Sequence, residues 1–132
     1  MKFLFIVVVT ILMSPLSASA AEGISVRFKV EEQQALKSGT VDTKSYENAF
    51  LFAFGEKAVA DIKNITKIGF LATEKGDKAQ LHVSLSMYES GVETFIGEGD
   101  LAAKFGEYSD IKWVKNGRTY VFHLLPSRAA LP

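Results

Sequence analysis

The side chains with chemistry to offer are few. Histidine occurs twice, as His82 and His123, and cysteine is absent. No thiol nucleophile and no thiolate metal centre can therefore be built. Two histidines on neighbouring strands, with a carboxylate such as Asp110 beside them, would supply ligands of the kind zinc accepts. The spacing of these residues is not diagnostic of such a site, and the simpler expectation is a solvated His82 and a partly packed His123. A serine–histidine–carboxylate hydrolase lacks its G-x-S-x-G elbow here, and Ser90-Gly91 reads as a turn. Carboxylates stand close at Glu31-Glu32, at Glu98 with Asp100 and at Glu107 with Asp110. Glycosidases work with a pair of carboxylates, but acidic residues near glycines are more simply solvated turns. Gly97, Gly99 and Gly106 have strands on both sides, whereas a phosphate cradle leads from a strand into a helix. No catalytic, metal-binding or cofactor-binding residue follows from these patterns, and no cofactor is expected. Asn64-Ile65-Thr66 matches the N-glycosylation pattern by chance if the source is bacterial, as the short leader and absent disulfides suggest.

The elements that must hold these side chains are strands. Ile24, Val26, Phe28 and Val30 alternate with Ser25, Arg27, Lys29 and Glu31. Ala79, Leu81, Val83, Leu85 and Met87 alternate with Gln80, His82, Ser84, Ser86 and Tyr88. Successive side chains on a strand point to opposite faces, so each stretch has one dry face and one wet face. Over residues 48–62 the phenylalanines at 50, 52 and 54 favour a strand. Tyr46, Phe50, Phe54, Ala58 and Ile62 also fit helical spacing, but Gly55-Glu56 would break a helix, so two strands meeting there are expected. Residues 32–45 read as a long loop with a helical turn at 32–36. Asn116-Gly117 is the best hairpin turn, because a type I′ turn needs positive φ at both central residues. It joins Ile111–Val114 to Thr119–Leu125, which is apolar on both faces and so reads as a central strand. The tail 127–132 is expected to fray. Phe54-Gly55-Glu56 followed by Asp61-Ile62-Lys63, and Phe105-Gly106-Glu107 followed by Asp110-Ile111-Lys112, could be two copies of one hairpin unit.

The sum predicts an all-β domain, an antiparallel β-sandwich or small barrel of seven to nine short strands built of hairpins. This hairpin rhythm resembles β-rich periplasmic modules of bacterial envelope machinery over roughly half of the domain, and no functional residue follows from the resemblance.

The first twenty residues differ from the rest. Lys2, the apolar run from Phe3 to Met13 and the small residues Ala18-Ser19-Ala20 follow the order of a cleavable export signal. The run is too short for a bilayer span, which needs about 20 residues. Residues 21–132 would then form a single domain, periplasmic or secreted, with no membrane span. Acidic and basic residues balance at 15 each along the whole chain. They intermix without a basic cluster, which argues against nucleic acid as a partner. The expected function is an exported, non-enzymatic binding module whose partner is another envelope or extracellular protein. The strand Ile24–Glu31 is its candidate edge. A barrel carrying one small apolar ligand among its phenylalanines is the alternative, and a hydrolase with dispersed carboxylates or histidines is a third. Among the aromatics, Tyr88 falls on a polar face. Trp113 could serve an interface, although a core anchor is its expected role.

Overall fold

A computed structural model describes residues 22–132; the expected export signal lies outside them. Eight antiparallel strands follow one another: β1 (Glu22–Ala35), β2 (Val41–Ala53), β3 (Ala58–Ile62), β4 (Thr66–Lys75), β5 (Lys78–Glu89), β6 (Val92–Lys104), β7 (Ser109–Lys115) and β8 (Arg118–Ala130). They form two four-stranded sheets, ordered β2-β1-β8-β7 (sheet A) and β3-β4-β5-β6 (sheet B). The predicted all-β hairpin architecture is present, as a sandwich wound up and down.

Period two decides what lies between the sheets. Ile24, Val26, Phe28 and Val30 of β1 and Tyr120, Phe122 and Leu124 of β8 face Ile68, Phe70 and Ala72 of β4 and Leu81, Val83 and Leu85 of β5; all are buried. Phenylalanine rings dominate the centre. Phe70 stacks on Phe52 at 5.3 Å between centroids and on Phe50 at 6.0 Å, and meets Phe28 at 5.9 Å and Phe122 at 6.2 Å. The phenylalanines that could have lined a carrier's cavity pack on one another instead.

Several expectations are corrected. Residues 32–45 are not a loop: β1 runs on to Ala35 and pairs with β2 from Val41, Glu31 lying opposite Ser45 and Gln33 opposite Thr43. Backbone pairing satisfies this polar stretch without help from a core, which the hydrophobic pattern could not reveal. The expected helical turn at 32–36 is strand for the same reason. The tail 127–132 does not fray over most of its length, because Ser127 to Ala130 pair with β1. Arg128 is further fixed by an ion pair to Glu74, a 2.6 Å bond to Gly76 O and the face of Phe105 at 4.3 Å. The strand Ile24–Glu31 is not an edge. β1 lies between β2 and β8, and the charges on its outer face cover the middle of sheet A. Residues 48–62 do form two strands separated at Gly55-Glu56, but in different sheets.

That separation explains the F-G-E repeat. Phe54-Gly55-Glu56 carries the chain from sheet A to sheet B, and Phe105-Gly106-Glu107 carries it back. The repeat is a crossing turn and not a hairpin. Gly55 and Gly106 take φ of 80° and 85°, a region closed to most side chains. Their amides donate to Ala72 O and Pro126 O, each at 2.8 Å. The two phenylalanine rings meet edge to face at 6.3 Å. Exchanging β1–β4 with β5–β8 maps the order of sheet A onto that of sheet B. The chain is thus two similar four-stranded halves.

The halves differ at their seams. Between β6 and β7, Trp113 Nε1 donates to Glu98 O at 3.3 Å, and Lys115 Nζ donates to Phe95 O. A bulge at Ile96 shifts the β5–β6 register, close to the bend expected from Gly97 and Gly99. The Trp113 indole packs against Gly97, where a Cβ would stand 2.6 Å from its Nε1. Gly97→Ala is therefore expected to cost about 1–3 kcal/mol through overpacking and to red-shift the emission of the single tryptophan. Gly99→Ala, whose Cβ would meet Ile111 at an ordinary 3.8 Å, should change little. Urea midpoints of the two variants decide.

Candidate functional site

The two histidines are not neighbours. His82 lies on β5 of sheet B and His123 on β8 of sheet A, each on the outer face of its own sheet. The site imagined from two histidines and Asp110 is therefore not assembled, because the strands that carry them belong to opposite layers. No group of three or more ligating side chains among the described residues is arranged to hold a metal ion.

What does assemble is a row of charged side chains across sheet A. Glu47, Lys29, His123 and Asp110 lie opposite one another on β2, β1, β8 and β7. Rows of this kind arise because strands sit about 4.8 Å apart with their pleats in register. Asp110 Oδ1 accepts from His123 Nδ1 at 2.6 Å, and Glu31 Oε1 accepts from Nε2. Glu31 and the imidazole are only 22% and 26% exposed. Burial pulls the His123 pKa down, but the hydrogen bonds and charges of Asp110 and Glu31 outweigh it and the net shift is upward. Both ring nitrogens are thus engaged by carboxylate oxygens, an arrangement that favours the protonated ring.

These residues border an open cleft of about 460 Å³, lined also by Arg27, Lys29, Glu47 and the turn residue Tyr108. Val121 and Leu125 flank His123 on the same outward face of β8 and are respectively buried and half-buried. The outer face of β8 is thus apolar on either side of His123, and the strand is central in its sheet.

Sheet B carries a smaller counterpart. His82 Nδ1 lies 2.7 Å from Asp100 Oδ1, and Nε2 lies 3.7 Å from Glu98 Oε2. The hydrogen bond to Asp100 is the main reason its pKa is raised. The adjoining hollow is about 280 Å³, lined by Lys57, Val59, Leu71, His82, Ser84 and Glu98 among others.

The carboxylates singled out in the sequence are thus dispersed. Glu31 and Glu32 point to opposite faces. Glu31 joins His123, while Glu32 lies 3.6 Å from Arg118, whose other partner is Glu89 at 2.9 Å. Glu98 and Asp100 flank His82. Asp110 serves His123, and Glu107 is exposed in the crossing turn. Tyr88 donates its hydroxyl to Asp61 at 3.1 Å. Trp113 is half-buried and packs against the core, near its expected role, and also seals the β6–β7 seam. Sequence reading overlooked Arg27, Lys29, Glu47 and Tyr108 as a group; their alternation marks them as outward, but nothing in it marks them as neighbours of His123.

The second seam is open. β2 pairs only with β1, and the next strand in the chain, β3, joins the other sheet with only five residues. Tyr46 and Phe50 of β2 and Ala58 and Ile62 of β3 pack against the core but are incompletely covered. Leu51 and Val59 are 42% and 51% exposed beside them.

No helix among the described residues is long and apolar enough to cross a membrane. Comparison with known protein families, characterised proteins and solved structures finds no match to the chain.

Proposed function

We propose that the protein is an exported, non-enzymatic binding module that takes a strand of an envelope or extracellular protein partner along β2. One observation carries this reading: the contrast between the two seams. Side chains of β7 cap carbonyls of β6, whereas β2 presents its outer backbone edge beside half-covered Tyr46, Phe50 and Ile62. An added strand would pair with that backbone and cover those side chains with alternate residues of its own. The packed phenylalanine core gives less support to a ligand carrier.

The test is a photo-crosslinking amino acid placed on β2 at exposed Asn48, with exposed Lys112 on β7 as the comparison. In the native host, a discrete adduct from position 48 and none from 112 is the expected result. Equal adducts from both positions, or none from either, would overturn strand addition at β2.

A further inference from the structure

We propose that the strand added along β2 is the β2 of a second copy of this chain, the two strands running antiparallel about a two-fold axis at Asn48. The proposal rests on strand addition at β2 and names the partner that this edge fits.

The β1–β2 hairpin fixes which backbone groups of β2 are free. Leu36 N donates to Thr40 O at 2.8 Å and Gly39 N donates to Leu36 O at 3.0 Å, with Gly39 at φ 89°. Leu36 and Thr40 are therefore the hydrogen-bonded pair that closes a three-residue turn. Bonded and non-bonded pairs alternate along an antiparallel ladder. Counting from that turn, the even-numbered residues of β2 bond to β1. The N–H and C=O groups of Ser45, Glu47, Ala49 and Leu51 point sideways, away from β1. Asn48 Oδ1 accepts from Ala49 N at 2.8 Å, in keeping with an N–H that β1 does not use. An added strand replaces this local bond with a ladder bond.

The side chains select the partner. Tyr46, Asn48, Phe50 and Phe52 stand opposite the inward residues of β1 and share the face turned toward sheet B. Two copies continue one sheet, with both inner faces on the same side, only when inward residues stand opposite inward residues. An axis at Lys44 or at Glu47 sets a charge against its own copy, which is destabilising. An axis at Tyr46 sets the Asp42 carboxylate against the Phe50 ring. An axis at Asn48 sets Tyr46 of each copy against Phe50 of the other, an aromatic cross-strand pair formed twice. It also sets Glu47 against Ala49 and Ser45 against Leu51, with no like charges opposed. The half-buried rings of Tyr46 and Phe50 thus cover each other, because they lie at equal distances on either side of Asn48.

The chain has no cysteine, so single replacements report the register directly. Across a non-bonded pair the Cα atoms stand about 4.5 Å apart, within reach of a disulfide. Asn48→Cys, oxidised mildly at micromolar concentration, should run as a covalent dimer without reductant. Tyr46→Cys alone and Phe50→Cys alone should not couple, since each lies roughly 13 Å from its own copy; mixed together, they should. Ala49→Pro removes a sideways N–H without breaking the ladder to β1, and should turn the dimer seen by sedimentation velocity of the parent into a monomer. A parent that stays monomeric up to millimolar concentration would overturn the pairing. So would Tyr46→Cys coupling to itself more readily than Asn48→Cys. The crosslinker at position 48 separates this partner from the broader reading. In the host, an adduct of two copies of this chain supports the pairing. An adduct with a different protein overturns the second copy but leaves strand addition at β2 standing, and no adduct at all overturns both.

Discussion

Phe70→Ala is expected to remove about 3–5 kcal/mol of folding stability. Phe70 is 2% exposed, and its ring touches those of Phe28, Phe50, Phe52 and Phe122. These five rings come from β1, β2, β4 and β8, so one side chain joins both sheets. Truncation leaves a void bordered by rigid rings, which cannot rotate to fill it as aliphatic chains partly can. A domain of this size has a stability of about 5–15 kcal/mol. With no cysteine in the chain, no disulfide restrains the unfolded state in compensation. Urea titration followed by circular dichroism should place the Phe70→Ala midpoint far below that of the parent, or find the variant unfolded. Phe95→Ala gives the scale: that ring is 49% exposed, and its loss should cost about 0.5 kcal/mol or less. Similar midpoints for the two variants would show that the stacked rings are not the centre of the fold.

Stability should fall as pH rises above the ordinary histidine pKa of 6.5, through His123. The folded pKa is raised above its ordinary 6.5. The contribution of the charged ring is therefore complete below the unfolded value and is lost as pH rises through the folded one. Deprotonation leaves Glu31 of β1 and Asp110 of β7 facing a neutral ring that can donate to only one of them. The neighbouring charges are Lys29 on β1, Glu47 on β2 and Lys112 on β7. His123→Gln should flatten the slope and lower stability most at the acidic end. His82 shifts in the same direction, but its side chain is 43% exposed and solvent screens its pairs. His82→Gln should therefore leave most of the slope in place. Denaturation curves across the pH range decide; a flat or rising parent profile contradicts the imidazolium assignment.

Which residues face inward, and where most of the chain turns back, can be read from local sequence. Period-two alternation is a local consequence of the pleat, and glycine or asparagine at a turn is a local consequence of positive φ. One contact of the site was legible on the same terms. A two-residue turn at Asn116-Gly117 places Lys115 opposite Arg118, and counting outward places Asp110 opposite His123. The same counting from Ser90-Gly91 would set Gly99 opposite His82. The extra residue at Ile96 moves Asp100 there instead, and no local preference announces where a bulge will fall. Glu31 reaches His123 across 92 residues of chain, through a β1–β8 pairing that no turn specifies. That pairing, the sheet change at each F-G-E turn and the open β2 edge were decided by the tertiary structure alone. They depend on how two twisted sheets bury a shared set of phenylalanines, and that burial depends on the whole chain at once.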